Sequence, residues 1–188
     1  RPGIYLEDSG ISVPGLDGDE PGIGVRLDLV TLLADHDVRL DEQGVLDIVS
    51  FISTGNPHLI MWVRNPEDLE AFDLARFGPM LEHHPWFKDR INLHVVRVDS
   101  PGQVTMRSWE RGSGETSACG TGASAVCVAG ALEGRTDPSI CAILPGGTLE
   151  LVYDSDMASV QMTGPAETIC TGVVRDDGTI ISLKEVLA

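Results

Sequence analysis

WERGSGETSACGTGASAVCVAGALE, residues Trp109–Glu133, decides how this chain folds. It reads as the end of a strand, a polar glycine-rich loop with one cysteine, and then a helix. From Gly120 to Leu132 there is no charged side chain, and Ala, Gly, Ser, Val and Cys succeed one another without a polar face. A helix with no wet face has to be covered all round. At about 20 Å long, from ~1.5 Å per residue, it is too short to cross a bilayer. The expectation is a central helix with a soluble domain built around it.

Cys119 stands where that helix begins. The first helical turn leaves backbone N–H groups without partners and carries the positive end of the macrodipole, which favours a thiolate or a bound carboxylate. Gly120 and Gly122 let a ligand approach the backbone, and helix N-termini are places where thiol pKa values fall. Glu110 and Arg111 sit just upstream, at the end of a predicted strand. A cysteine with an acid and a cation beside it is a candidate base, acid or nucleophile. Local chemistry leaves a second reading open, a small buried thiol at a tight turn.

The flanking sequence is mostly strand and turn. Ile91–Val98 and Gln103–Trp109 alternate around Asp99-Ser100-Pro101-Gly102, which predicts an antiparallel hairpin that places Asn92 at one strand start and delivers Glu110 and Arg111 from the other strand end. Val45–Ser53 and Leu59–Val63 are β-branched, apolar runs on either side of Thr54–His58, so Asn56 and His58 fall in a turn that Pro57 stiffens. Without further context that segment also reads as a plain Gly-Asn-Pro turn. Asn65-Pro66 signals a helix start, and Leu74, Phe77, Leu81 and His84 keep helical spacing, while Pro79 predicts a short helix beginning near it or a kinked one. His83 and His84 read as helix surface and C-terminal cap rather than metal ligands, since no carboxylate or cysteine stands at ligand spacing on that element. After a stop at Gly134, the spans Ser139–Leu144, Thr148–Tyr153, Ser159–Thr163, Glu167–Val174 and Thr179–Leu183 read as strands, with Leu149/Leu151 and Val160/Met162 facing inward. Residues 1–24 read as loop, and Val25–Val30 as a half-buried strand.

Composition narrows the function. The chain has 188 residues, is 42% hydrophobic and carries a net charge of −16, which argues against nucleic acid and anionic membrane as partners. Four cysteines without short paired spacing suggest neither a zinc ribbon nor a disulfide scaffold and fit a reducing cytoplasm. No stretch has the length and apolarity of a membrane span. Together these features predict an α+β protein, a β-rich sheet wrapped around the uncharged helix.

The wording of several segments goes further. WERGSGETSACGTGASA closely resembles the second-cysteine motif of the diaminopimelate epimerases, and TGNPH (Thr54–His58), FGPMLEHHPWF (Phe77–Phe87), DRINLHVVRV (Asp89–Val98), LPGGTLELVY (Leu144–Tyr153) and MTGPAE (Met162–Glu167) agree with that family in order. The resemblance implies a mostly antiparallel β-barrel around a central helix in each of two similar domains. It also implies cofactor-independent inversion of an amino-acid α-carbon by two cysteines, one thiolate base and one thiol acid, with no metal. By the resemblance Cys119 is the second of these. Glu110 tunes it, His58 assists the partner thiol, backbone N–H groups at Gly120 and Thr121 hold the α-carboxylate, and Asn56, Asn92 and Arg111 fix the far end of the substrate, with Glu110 also in contact. Lys88 and Lys184 are the only lysines, and neither lies in a glycine-rich site that would suggest pyridoxal chemistry.

The chain departs from the family pattern at one point. No CGNG motif, the family's first-cysteine signature, occurs in it, and Cys127, Cys141 and Cys170 all follow the second motif. The expectation is a remnant of the first domain over residues 1–40, the second domain over 41–165, and strands at 166–188 that return to the first domain, the chain being inactive by itself. A cleft face left open in such a piece favours self-association, as a homodimer. A proline racemase relative shares a CGTG-like element, although the ERG and GNPH segments favour diaminopimelate epimerase, and a ligand-binding module that kept the carboxylate loop without catalysis is the reading from another class.

Overall fold

The structure is a computed structural model that describes residues 6, 10–13, 16–19, 21–26, 40–168 and 170–185. Its sheet begins with the short β1 (Val25–Arg26) and continues through β2 (Val45–Ser53), β3 (Pro57–Val63), β4 (Asn92–Ser100) and β5 (Gln103–Glu110) to β7 (Ser139–Leu144), β8 (Gly147–Asp154) and β9 (Ser159–Thr163). The three-residue β6 (Gly114–Thr116) pairs with β5 off this path. Two joints, β3–β4 and β5–β7, are parallel and every other pairing is antiparallel.

A parallel joint needs a crossover, and the helices supply both. Helices α1 (Pro66–Ala71) and α2 (Leu74–Glu82) connect β3 to β4, while α3 (Gly120–Leu132) lies on the path from β5 to β7. The two crossovers cover opposite faces of the sheet. Because every residue of β3 is buried, its period-two alternation feeds two cores. Leu59, Met61 and Val63 pack with Phe51, Leu93, Val95 and the apolar sides of α1 and α2, whereas Ile60 and Trp62 pack with Ile52, Val96, Met106 and α3.

The expected uncharged helix forms with the expected bounds, Gly120–Leu132, and its residues from Gly122 to Gly130 are buried apart from half-buried Ser124. It contacts β2, β3, β4, β7, β8 and β9, so the sheet curls around it. Among the described residues β1 and β9 are not paired with each other, so the wrapping is open rather than a closed barrel. The strand at β9 is an exposed edge, and Met162, expected to face inward, is 49% exposed.

The region around Pro79 differs from expectation. Two helices form, and the break falls at Phe72–Asp73, upstream of the proline. Capping explains it. Arg107 Nη1 donates to the carbonyls of Leu69, Glu70 and Phe72 at 3.0, 3.0 and 2.9 Å, closing α1, and the Asp73 carboxylate accepts from the Arg76 N–H at 3.1 Å, opening α2. Pro79 then sits inside α2, which runs on to the cap at His83, whose ring Nδ1 donates to the Pro79 carbonyl at 3.0 Å.

Of the segment 1–40, Leu6, Ile11, Val13 and Leu40 join the outer core beside Phe51 and Phe87. The described part of the expected strand at 25–30 is β1, the remainder lying outside the described residues. At the other end β10 (Cys170–Val174) and β11 (Ile180–Glu185) form a two-stranded antiparallel ribbon separate from the large sheet. Among the described residues no helix is long and apolar enough to cross a membrane.

Candidate active site

β5 ends at Glu110 and turns through Arg111–Ser113 into β6, which brings the chain back to the start of α3. This tight return sets Cys119, the N-cap of α3, against Glu110. The Cys119 thiol donates to Glu110 Oε2 at 3.2 Å, Thr116 Oγ1 donates to Glu110 Oε1 at 2.7 Å, and Thr121 Oγ1 lies 3.7 Å from the sulfur. Cys119 is 3% exposed. Burial and then the bond to Glu110 push its pKa up to about 11, against the lowering effect of the Gly122 N–H and the Thr121 hydroxyl. The N–H groups of this helix end favour a thiolate, but desolvation and the neighbouring carboxylate act the other way and favour the thiol.

The turn itself is held from outside by Glu82 at the end of α2, whose side chain is 4% exposed. Its carboxylate accepts from the Trp109 indole at 2.8 Å, the Gly112 N–H at 3.0 Å and Arg90 at 3.0 Å. These bonds clamp the chain on both sides of Glu110–Arg111. The loop before Cys119 is fixed by the β7–β8 turn, where the Gly146 N–H donates to the Ser117 carbonyl at 2.7 Å; a Cβ on Gly146 would come within 2.9 Å of that oxygen.

A second polar group lies beneath the first turn of α3. His58 and Asn92 face each other in the parallel β3–β4 register, and His94, two residues on, is paired with Ser108 across β4–β5. His58 Nδ1 lies 2.8 Å from His94 Nε2, and His94 Nδ1 lies 2.9 Å from Ser108 Oγ. At the other end His58 Nε2 contacts Thr54 Oγ1 at 2.9 Å and Asn56 Oδ1 at 3.1 Å. Burial, and then the Arg111 charge, lower the His58 pKa to about 3, and burial also holds His94 well below the ordinary imidazole value. Both rings are neutral. The His94 ring occupies the space above Gly122, where a Cβ would lie 2.2 Å from the ring Cε1, so the first turn of α3 rests directly on this pair.

The remaining expected residues have specific partners. Asn92, 2% exposed, donates from Nδ2 to the Pro57 carbonyl at 2.9 Å and accepts the Arg111 N–H at 3.0 Å, tying the turn after β5 to the start of β3. Arg111 Nη1 donates to the Asp89 carbonyl at 2.7 Å. Gly120 and Thr121 line a cleft of about 440 Å³ together with Thr54, Gly55, Ser124 and Met162, and the buried Cys119, which immediately precedes Gly120 in the chain, is not among its lining residues. Sequence reasoning missed His94, Ser108, Thr116 and Glu82. For His94 and Ser108 a signal existed, a polar residue on the inward-facing phase of an otherwise apolar strand. For Glu82 there was none.

With this geometry in view, the comparisons with known proteins are decisive. Residues 50–169 match the family profile described as diaminopimelate epimerase. The chain belongs to the diaminopimelate epimerase family. A diaminopimelate epimerase of Chelativorans sp. (strain BNC1) is 51% identical over 139 residues, covering 70% of this chain and 46% of the relative. One of Trichodesmium erythraeum is 41% identical over 179 residues, 88% of this chain and 63% of the relative, and one of Desulfitobacterium hafniense is 44% identical over 139 residues, 74% and 48% respectively. The chain spans about half the length of the curated relatives it matches. The matched segment contains all eight expected site residues, from Asn56 to Thr121.

Two expected outcomes follow from the geometry. In Glu110→Gln the loss of the charge and of its pull on the proton lowers the Cys119 pKa, so alkylation of that thiol, followed by mass spectrometry of its peptide, has its pH midpoint moved down from about 11. Glu82→Ala removes the charged acceptor of the half-buried Trp109 indole N–H, the Gly112 N–H and Arg90 and costs about 1–3 kcal/mol in urea unfolding.

Proposed function

We propose that this chain supplies one half of a cofactor-independent epimerase that interconverts LL- and meso-diaminopimelate, with Cys119 as the acid/base group on one face of the α-carbon. The reading is carried by the Cys119 Sγ–Glu110 Oε2 hydrogen bond of 3.2 Å at the N-cap of α3, within the segment that defines the family.

Inverting an α-carbon requires a proton to leave one face and another to arrive at the opposite face, so two groups flank the carbon. Cys119 rests as the thiol, hence as the acid. A thiolate on the far face takes the α-proton, and Cys119 delivers its own proton to the other side of the carbanion. The thiolate left at Cys119 then meets the Gly122 N–H, the Thr121 hydroxyl and the positive end of α3. In the reverse direction Cys119 starts as the thiolate and the far thiol is the donor. The first-turn N–H groups at Gly120 and Thr121, on the cleft wall, receive the α-carboxylate and stabilise the enolate as it forms. Asn56 and Arg111 orient the far amino-acid end, and Asn92 keeps Arg111 in place.

The opposing thiol is not one of this chain's other cysteines. Cys127 is buried within α3, Cys141 lies on β7 and Cys170 on the separate ribbon. It belongs to the companion domain that the family's two-thiol chemistry requires. Four free cysteines suit a reducing compartment such as the cytoplasm.

Fusing this chain to the first half of the Chelativorans relative tests the reading. The fusion interconverts LL- and meso-diaminopimelate, Cys119→Ala lowers kcat by about 10²-fold or more, and the 188-residue chain by itself shows no turnover. Activity that survives Cys119→Ala, or ordinary turnover by the chain alone, overturns it.

A further inference from the structure

The His58–His94 contact has a direction. Neutral imidazole carries one N–H, so each ring donates once and accepts once. Asn56 Oδ1 can only accept, and it already receives the Thr54 hydroxyl proton at 3.2 Å. Thr54 Oγ1 therefore has no proton left for His58 Nε2, which lies 2.9 Å from it and 3.1 Å from Asn56 Oδ1. Two acceptor oxygens facing Nε2 place the His58 proton there. His58 Nδ1 is then bare and accepts from His94 Nε2–H at 2.8 Å, and His94 Nδ1 accepts from the Ser108 hydroxyl at 2.9 Å.

We propose that His94 and Ser108 are positioning residues that, with the Asn56 oxygen facing Nε2 and its NH2 outward, lock His58 as its Nε2–H tautomer. The chain of donors runs one way, from Ser108 through His94 and His58 to Asn56. It is a lock and not a proton shuttle, because Ser108 is 1% exposed and ends the chain in the core. With this tautomer His58 faces Asn56 and Thr54 as a donor, its bare nitrogen buried against His94. The lock also reaches the thiol, since the His94 ring supports α3 at Gly122, three residues after Cys119. What the outward amide offers a substrate, two N–H donors beside the cleft residues Thr54 and Gly55, rests on the epimerase reading. The lock itself does not.

Long-range 1H–15N correlation spectra of the histidine rings in the 15N-labelled chain test this without any assay of activity. Wild type shows His58 as a single Nε2–H tautomer that does not titrate between pH 5 and 9, a range above its pKa of about 3. His94→Gln, whose side-chain amide restores a donor to His58 Nδ1, preserves that signature. His94→Leu removes the donor and yields a tautomer mixture at His58. Should His94→Leu fail to fold, Ser108→Ala makes the smaller change and still yields the mixture. A wild-type His58 carrying its proton on Nδ1, or a folded His94→Leu or Ser108→Ala variant with an unaltered His58 tautomer, overturns the lock. Either outcome is distinguishable from failure of the epimerase reading, which turns on Cys119 and not on the imidazole proton.

Discussion

A helix of 13 residues without a charge cannot show a face to water without exposing apolar surface, and the rest of the domain is arranged to meet that constraint. Strands β2, β3, β4, β7, β8 and β9 contact α3. Because α3 lies on the crossover of the parallel β5–β7 joint, those two strands lie side by side, and the helix start is carried to the same end of the sheet as the end of β5. Burying the rod and presenting Cys119 to Glu110 are thus one structural act. The small side chains of α3 serve both purposes: they let strands approach closely, and at Gly122 they leave room for an imidazole.

Burial then sets the chemistry. A dry site favours neutral forms of its titratable groups, and it acts in opposite directions on the two kinds present, pushing the Cys119 thiol up and the His58 and His94 imidazoles down. Protons consequently sit at defined atoms before any substrate arrives. The sulfur holds one against Glu110, and the histidine pair holds its own in a chain that cannot drain to solvent. Preorganisation of this kind lowers the reorganisation a reaction needs at the moment of proton transfer.

Much of this was legible in the sequence. The bounds of α3, the β4–β5 hairpin, the strands at Ser139–Leu144 and Ser159–Thr163 and the cap at His83 all follow from local pattern and turn chemistry, which is where sequence reasoning is strongest. Three features were not legible. The break at Phe72–Asp73 depends on Arg107, 35 residues away from Phe72, which closes α1. The partnership of His58 with His94 depends on the parallel register of β3 and β4, which no turn between adjacent strands announces. The direction of the Cys119 shift depends on how completely the sheet covers the helix start, a tertiary quantity that a helix-dipole argument leaves out. Glu82 belongs with these, since it is a carboxylate on a helix until the fold brings Trp109 and Gly112 to it.

The central claim is that Cys119 rests as a thiol donating its proton to Glu110. Infrared spectroscopy of the S–H stretch at neutral pH tests it most directly, with Cys119→Ala subtracted to isolate this thiol from the chain's other three. The account predicts a Cys119 S–H band, shifted to lower frequency than those of the other thiols by its bond to a carboxylate. Absence of that band, the signature of a thiolate, would contradict it.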